Sequence, residues 1–331
     1  MLLLSDFDYE LPEERIAQVP VEPRNSSRLM VLDPVEKTIE HRHFYDLKEY
    51  VEPGDTLIFN DTRVMPARLI GHRDQTGGKV EVFLLRRLDA THWETLVKPG
   101  KKAKPGYKIN FSDELSCVVT DHTDFGGRIV EFQYEGVFEE ILDRLGETPL
   151  PPYIHEKLED KERYQTVYNR EEGSAAAPTA GLHFTKEQMQ ELSEMGVNLG
   201  FVTLHVGLGT FRPVSVDKIE EHQMHKEYYC IPDETAQLIK STKAAGKRVI
   251  AVGTTSIRTL ESAATAKNEI AGKSGWTEIF IYPGYDFKIV DAIITNFHLP
   301  KSTLIMLISA FGGRKFVLSA YRQAVEEESR F

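Results

Sequence analysis

Apolar and polar residues follow different patterns in two regions of the chain. Between residues 61 and 151, short segments alternate apolar and polar side chains and are separated by Gly-Gly and Pro-Gly pairs, as expected of strands joined by tight turns. The predicted strands include 80–85, 115–120 and 128–134. This pattern predicts a small antiparallel β-barrel. The barrel ends in an amphipathic helix over 137–145, followed by a stiff proline-rich linker over 149–152.

From residue 173 onward, strand-like segments alternate with helical ones, which is typical of an α/β domain. The predicted strands are 197–206, 248–252, 278–282 and 290–295; the predicted helices are one capped by Thr185, 233–245, 255–267, and two that begin at 302 and about 314. Strand-like segments at 28–32 and 56–59 complete this domain. We therefore predict a discontinuous α/β catalytic domain with a mixed or parallel core sheet, residues 1–60 and 152–331, and an inserted β-barrel domain, residues 61–151.

The composition favours an ordinary folded protein. Of its 331 residues, 27% are charged and 41% are hydrophobic, which is too apolar for a disordered chain. Two cysteines, Cys117 and Cys230, without a Cys-x-x-Cys spacing predict a reducing, cytoplasmic compartment. No apolar run reaches the roughly 18 residues of a membrane-spanning helix, so we expect no membrane association.

The net charge of −11 is unevenly distributed. Residues 63–108 contain eleven basic and four acidic residues, and this basic segment contrasts with an acidic remainder. Basic side chains concentrated in this way can hold phosphate groups. The candidates are Arg68, Lys98, Lys101, Lys102 and Lys104. A solvated hairpin loop without a ligand is the alternative interpretation of residues 97–108.

A run of small residues, Gly173–Thr185, leads directly into the helix capped by Thr185. Small side chains allow the backbone to approach a ligand, and a helix N-terminus favours an anion. Thr179 and His183 lie in this run. We expect them to face a ligand, although a tight loop with a packed histidine is the alternative.

Two further segments contain histidines that we consider as ligand-binding or metal-binding candidates. Thr203–Phe211 is a strand that ends in a Gly-x-Gly turn, and His205 lies near its carboxyl end, where ligands bind in α/β sheets; a buried core histidine is the equal alternative. His222 and His225 lack the accompanying ligands of a metal-binding motif. We therefore expect no metal ion.

The segment Val252–Glu261 places polar groups at the start of a helix that follows a buried strand. Backbone amides, the hydroxyls of Thr254 and Thr255 and the guanidinium of Arg258 can cradle a carboxylate or phosphate there. Glu261, one helical turn after Arg258, is a further binding candidate, and the alternative is that the two simply pair with each other.

Two other polar segments complete the set of candidates. In Thr295–Thr303, Asn296, Phe297 and His298 follow a strand, and the rings could flank a flat ligand. In Phe59–Arg68, the polar candidates are Asp61 and Arg63, for which a local structural ion pair is the alternative.

These motifs together resemble the S-adenosylmethionine:tRNA ribosyltransferase-isomerase family of queuosine biosynthesis. The segments that carry the resemblance are Ser27–Leu29, Phe59–Arg68, Gly173–Thr185, Thr203–Phe211, Val252–Glu261 and Thr295–Thr303. The similarity extends from Asp6 to about Glu327. Family members usually continue into an aromatic tail near a Gly-Asp-Ala-Met stretch, whereas this sequence ends at Arg330-Phe331.

The resemblance implies a specific reaction. The ribosyl moiety of S-adenosylmethionine, a co-substrate, is transferred to 7-aminomethyl-7-deazaguanine at the wobble position of tRNA and isomerised. Epoxyqueuosine forms, and adenine and methionine are released. No prosthetic group or metal is implied, and the partner is the anticodon region of tRNA.

The resemblance also requires a base that removes a C5′ proton of S-adenosylmethionine. We expect His183 to be this base, with His205 in reserve, because a neutral imidazole is suited to the task near neutral pH. The basic side chains of the barrel would bind tRNA phosphates. A metal-free enzyme that transfers or hydrolyses glycosyl groups of small nucleosides and a noncatalytic tRNA-binding protein are the alternative functions.

Overall fold

The computed structural model describes residues 2–123, 126–207, 209 and 213–331, with the side chain of Lys102 excepted. The chain forms two compact units. The core unit comprises residues 1–63, 152–172 and 177–331, and the barrel unit comprises residues 64–151 and 173–176. The first junction therefore follows Arg63 rather than the predicted Asn60, and the segment 173–176 belongs to the barrel unit. Whether the units are separate folding domains stays a prediction.

The strands and helices of the described residues are as follows. The strands are β1 Arg28–Asp33, β2 Thr38–His43, β3 Thr56–Asn60, β4 Thr62–Val64, β5 Arg68–Arg73, β6 Lys79–Arg87, β7 His92–Lys98, β8 Lys108–Asn110, β9 Leu115–His122, β10 Arg128–Tyr134, β11 Glu171–Ser174, β12 Asn198–Leu204, β13 Glu227–Ile231, β14 Val249–Val252, β15 Lys273–Thr277 and β16 Ala292–Ile294. The α-helices are α1 Phe138–Leu145, α2 Lys186–Glu194, α3 Asp233–Ala244, α4 Thr254–Ala263, α5 Thr303–Gly312 and α6 Arg314–Glu326. Short 3-10 helices include Phe44–Glu49 and Thr179–His183.

The core unit is built on a mixed sheet with the order β15-β13-β12-β3-β14-β16. The strands β12, β3, β14 and β16 run parallel to one another, whereas β13 is antiparallel to both β12 and β15. Every residue of β3 and of β14 is buried, as expected of central strands covered on both faces. The predicted α/β fold with a mixed core sheet is confirmed.

The barrel unit contains a closed antiparallel barrel whose described strands follow the order β10-β7-β6-β5-β8-β9. Alternate residues of each strand fill its interior, as Val80, Val82 and Leu84 of β6 illustrate, because side chains of a strand point to opposite faces in turn. Helix α1 adds Phe138 and Ile141 to the same apolar cluster. The predicted barrel and its terminal helix are confirmed.

Three predicted elements differ in the structure. The strand predicted at 278–282 is wrong: the edge strand β15 lies just before it, and the Ile279 N–H bonds the Thr277 hydroxyl where the strand ends. Helix α4 ends at Ala263 instead of Lys267, and Thr265 N–H instead bonds the Glu269 carbonyl in a turn. The N-terminal strand β1 pairs with β2 in a separate two-stranded sheet rather than joining the core sheet.

No single helix of the described residues is long and apolar enough to cross a bilayer, and α5 with α6 meets that test only as a pair bent by 116°.

Candidate functional site

The carboxyl ends of four parallel strands carry most of the predicted polar residues of the core unit. Strand β3 leads into Asp61 and Thr62, β12 into His205, β14 into the start of α4, and β16 into Asn296. In open α/β sheets, ligands bind at this edge because the loops there diverge to form a crevice. We refer to this region as the carboxyl edge.

Asn60, at the end of β3, ties together the ends of two neighbouring strands. Its amide nitrogen donates to the Leu204 carbonyl at 3.0 Å, and its Oδ1 accepts from the N–H groups of Leu204 at 2.9 Å and Thr62 at 3.2 Å. The side chain is completely buried. A buried amide with three hydrogen bonds is costly to disturb, so it holds Thr62 and the end of β12 in a defined relation.

The alternative interpretation, a local ion pair between Asp61 and Arg63, does not match the structure. Buried Asp61 instead binds Arg170 at 2.9 Å and accepts a hydrogen bond from Thr203 Oγ1 at 2.7 Å. Arg63 forms an ion pair with Glu162 at 2.5 Å and also donates to Asn169. These partners come from segments more than 90 residues away along the chain, since the fold brings residues 160–172 beside β3.

His205 lies at the carboxyl edge with one ring nitrogen engaged. Its Nδ1 is 2.8 Å from Thr62 Oγ1, and its ring stacks on that of Tyr228 with centroids 5.9 Å apart. Its Nε2 has no hydrogen-bond partner among the residues that the structure describes. Burial lowers the pKa of His205 below its ordinary value of 6.5, so the imidazole is neutral at pH 7.

His183, the last residue of its 3-10 helix, is bonded through both ring nitrogens. Nδ1 lies 2.8 Å from Ser27 Oγ, and Nε2 lies 2.8 Å from Asn296 Oδ1. The ring also contacts Phe44, with centroids 5.3 Å apart. Burial is the main cause that lowers the pKa of His183, so this imidazole too is neutral. The chain of hydroxyl, imidazole and amide joins three separate loops.

The other predicted residues after β16 have structural contacts. The ring of Phe297 is stacked on Phe331 with centroids 4.4 Å apart and meets Tyr321 edge-on. His298 is buried, its Nε2 lies 2.9 Å from Thr295 Oγ1, and burial lowers its pKa to about 3. The two rings therefore do not flank an open face for a flat ligand, contrary to the prediction, because Phe331 and Tyr321 contact Phe297 and the His298 side chain is buried.

The residue just before helix α4 has a backbone conformation that requires glycine. Gly253 has a φ of 86°, a conformation that other residues rarely adopt. A Cβ there would lie 3.7 Å from the Cβ of Ala180, so the 3-10 helix with Thr179 and His183 lies beside the start of α4. Thr179 itself is half-buried at the first position of that helix.

The first turn of α4 holds buried polar side chains. Thr254, Thr255 and Ser256 are all buried, and the hydroxyls of Thr255 and Ser256 have no hydrogen-bond partner among the described residues. An unsatisfied buried hydroxyl costs free energy. Together with the N–H groups at the helix N-terminus, these hydroxyls form a donor-rich surface suited to an anion.

Arg258 forms a buried ion pair that the sequence analysis did not foresee. Its Nη1 lies 2.5 Å from Glu227 Oε2, and the side chains are only 5% and 3% exposed. Glu227 Oε1 also accepts from the N–H of Gly207 at 2.9 Å. The Nε and Nη2 atoms of Arg258 are buried without a partner in the described part of the chain. A sequence signal existed, because Glu227 occupies the buried face of β13 together with Tyr229 and Ile231.

Glu261 does not pair with Arg258, because protein donors from another loop bond its carboxylate. Its Oε1 accepts from the N–H groups of Ile289 and Val290, both at 3.0 Å. Its Oε2 accepts from Lys288 N–H at 2.8 Å and from the Tyr285 hydroxyl at 3.0 Å. Four donors occupy the carboxylate, so the predicted binding residue instead anchors the loop before β16.

The basic residues predicted to hold phosphates belong to the barrel unit. Arg68 forms ion pairs with Glu81 at 2.7 Å and Glu147 at 3.2 Å. Lys98, Lys101 and Lys104 are exposed, and none of their side chains forms a hydrogen bond or ion pair within the described residues. The side chain of Lys102 lies outside them.

Metal binding gains no support from the arrangement of side chains. Among the described residues, no three histidine, cysteine, aspartate or glutamate side chains are grouped as metal ligands. His222 instead meets the ring of Phe280 edge-on at 5.4 Å, and burial lowers its pKa.

Comparisons with known proteins agree on one family. The profile of the family described as "Queuosine biosynthesis protein" matches residues 4–331. A protein of Symbiobacterium thermophilum named S-adenosylmethionine:tRNA ribosyltransferase-isomerase is 60% identical over 329 residues, which are 99% of this chain and 96% of that protein. A protein of Clostridium kluyveri with the same name has the same identity and coverage. A crystal structure of S-adenosylmethionine tRNA ribosyltransferase from Thermotoga maritima is 40% identical, with a TM-score of 0.56 over 98% of this chain and 96% of that one.

Proposed function

Since this chain belongs to the queuosine biosynthesis family and is an S-adenosylmethionine:tRNA ribosyltransferase-isomerase, we propose that its reaction takes place at the carboxyl edge of the core sheet. The enzyme transfers and isomerises the ribosyl moiety of S-adenosylmethionine onto tRNA. The acceptor is the aminomethyl group of 7-aminomethyl-7-deazaguanine, and adenine and methionine leave. Family membership decides against the nucleoside-hydrolysing and noncatalytic alternatives.

One observation carries the location of the site: among the described residues, two buried guanidinium nitrogens of Arg258 have no partner, and the same helix, α4, carries two unpartnered buried hydroxyls in its first turn. Buried polar atoms are normally bonded, and these are all donors that suit a carboxylate. S-adenosylmethionine has one carboxylate, on its methionine moiety. We assign that carboxylate to Arg258, Thr255 and Ser256, with Glu227 holding the guanidinium in place.

The C5′ proton requires a neutral base with an accessible lone pair. His205 supports this role better than His183, which was the first choice from sequence, because its Nε2 has no partner among the described residues. If Nδ1–H donates to Thr62 Oγ1, then Nε2 carries the lone pair. The backbone also connects His205 to the proposed carboxylate site, since the His205 N–H bonds the carbonyl of Tyr228, the residue next to Glu227.

The chemical sequence then follows from the charge of the sulfonium. The sulfonium acidifies the adjacent C5′ hydrogens, and His205 Nε2 removes one of them. The sugar rearranges with loss of adenine, the tRNA amine attacks, and the methionine leaves as the epoxide forms. We assign assistance to the departing adenine to Asn296, because its amide nitrogen can donate a hydrogen bond to a leaving purine nitrogen, while the neutral imidazole of His183, held by Ser27, orients that amide through its Oδ1.

The tRNA is bound partly through phosphates. Lys98, Lys101 and Lys104 have no competing partner in the described chain, whereas Arg68 is already occupied by two carboxylates. We therefore propose that the lysines, with Lys102, carry the phosphate contacts. Such contacts position the nucleic acid without reading its sequence. The acceptor base lies at the wobble position of the anticodon.

The function is tested by incubating the protein with S-adenosylmethionine and tRNA that carries the deazaguanine precursor. Mass spectrometry of the nucleosides is expected to find epoxyqueuosine, with adenine and methionine in equal amounts. A matched tRNA with unmodified guanine at the wobble position serves as the control. The proposal fails if S-adenosylmethionine is consumed equally with both tRNAs, or if the precursor is modified equally well at another position.

A further inference from the structure

Two exposed aromatic rings form a preordered stack on the core unit. The ring of His43, the last residue of β2, lies parallel to that of Tyr45, with centroids 5.0 Å apart and an interplanar angle of 5°. Tyr45 is 45% exposed, and His43 is exposed too. Parallel aromatic rings that are open to solvent offer a face on which another flat ring can stack. We call this pair the aromatic platform.

The residue between the two rings connects the platform to the carboxyl edge. Phe44 points inward, is 3% exposed, and contacts the rings of His183 and Phe184. Its N–H donates to the Ser27 carbonyl at 2.8 Å, and its carbonyl accepts from Gln188 Nε2 at 2.9 Å. The backbone under the platform is therefore held by the same Ser27 that bonds His183.

The substrate that approaches this edge is single-stranded where it reacts. An amine on a base can attack the sugar only if that base is exposed in a loop, and neighbouring unstacked bases then need a partner. Proteins supply one with aromatic rings, on which any base can stack. The protein has a net charge of −11, so contacts that do not depend on charge are valuable on the core unit.

We propose that the His43–Tyr45 platform stacks a tRNA loop base that neighbours the nucleotide being modified. The inference rests on the proposed function, because it takes tRNA as the substrate. The outer face of the platform receives the base, while the platform's inner neighbour, Phe44, stays in the core. The platform thus fixes the loop beside the carboxyl edge without contributing a group to the chemistry.

The test uses an anticodon stem–loop RNA in which 2-aminopurine replaces the nucleotide next to the precursor. Stacking quenches the fluorescence of 2-aminopurine, so the wild-type protein should quench it on binding. The double variant His43→Ala/Tyr45→Ala should abolish the quenching and raise the dissociation constant of the RNA about 10- to 100-fold, the range for loss of a base–aromatic stack. Tyr45→Phe keeps the ring and should stay within about twofold of wild type.

Two controls separate the platform from other effects. Val35→Ala removes an exposed apolar residue, 82% accessible, from the turn after β1 and should change nothing. Affinity for S-adenosylmethionine should be equal in all variants. If the double variant instead loses affinity for S-adenosylmethionine but not for RNA, the platform holds adenine, and the inference is overturned. Unchanged quenching and RNA affinity in the double variant would also overturn it. A wild-type protein that binds and quenches the RNA but transfers no ribosyl group would instead contradict the proposed function alone.

Discussion

Arg258 and Glu227 form an ion pair of 2.5 Å that is almost completely shielded from water. The pair joins α4 to β13, two elements whose contact cannot be inferred from either segment alone. Because one carboxylate oxygen is also bonded by the Gly207 N–H, the guanidinium is held in one position, and its Nε and Nη2 have no partner among the described residues. The anion site that we propose rests on this arrangement.

Removing one member of this pair should destabilise the fold. Arg258→Ala leaves the Glu227 carboxylate buried without its counter-charge, and we expect the free energy of unfolding to fall by about 3–5 kcal/mol. Urea denaturation measures the change. The double variant Arg258→Met/Glu227→Gln, which removes both charges, should recover most of the loss; equal stability of the single and double variants would speak against a buried pair.

The double variant Arg258→Met/Glu227→Gln also tests the proposed carboxylate site, because it should keep most of the folding stability. We expect its affinity for S-adenosylmethionine to weaken by about 1.5–3 kcal/mol, the range for hydrogen bonds to charged groups. Isothermal titration of the variant and the wild type gives the comparison. Wild-type affinity in the double variant would remove Arg258 from the binding site.

The identity of the base can be decided by isotope exchange. With C5′-deuterated S-adenosylmethionine, His205→Ala should release no deuterium to solvent, because the proton acceptor is missing. His183→Ala should retain exchange and lose adenine release. Both variants should still bind S-adenosylmethionine by titration. If exchange survives in His205→Ala and disappears in His183→Ala, the two roles are reversed.

The pH dependence of exchange follows from the lowered pKa of His205. A base acts only when it is neutral, so its activity is lost as pH falls through its folded-state pKa. Since burial lowers that pKa below 6.5, the midpoint of the decline in exchange should lie below pH 6.5. A midpoint above pH 6.5 would point to a different base.

His298 should make stability depend on pH. Its pKa is lowered by burial from 6.5 to about 3, so between these values the unfolded chain binds a proton that the folded protein does not. The contribution is therefore complete above pH 6.5 and is lost as pH falls, by about 1.4 kcal/mol for each pH unit. Urea denaturation at several pH values should give a smaller slope for His298→Asn than for wild type, and equal slopes would contradict the buried neutral state.

The four lysines of the barrel unit should contribute to tRNA affinity through charge alone. Replacing Lys98, Lys101, Lys102 and Lys104 with glutamine should raise the tRNA dissociation constant and reduce the slope of log affinity against log salt by up to about 3–4. Affinity for S-adenosylmethionine is the control. An unchanged salt slope would identify residues 97–108 as a solvated loop.

Much of the architecture could be predicted from local patterns. Alternation in the strand 128–134 and helical spacing over 137–145 report which face of each element is buried, because that periodicity is a property of the backbone geometry itself. Likewise, polar residues that follow buried parallel strands had to meet at one edge of the sheet. This is why His205, Asn296 and the start of α4 lie along the same edge in the structure.

What only the tertiary structure decided is which side chains are partners. Ser27 and His183 are 156 residues apart along the chain and yet bond each other. Asp61 pairs with Arg170 rather than with its near neighbour Arg63. Helical spacing indicated that Glu261 could pair with Arg258, but N–H groups of the loop before β16 bond its carboxylate instead. Strand order and register bring distant segments together, and a buried polar group then bonds whichever donor or acceptor lies within about 3 Å of it. Periodicity along the chain shows which residues are buried, but it does not show which distant residue will lie beside a given polar group.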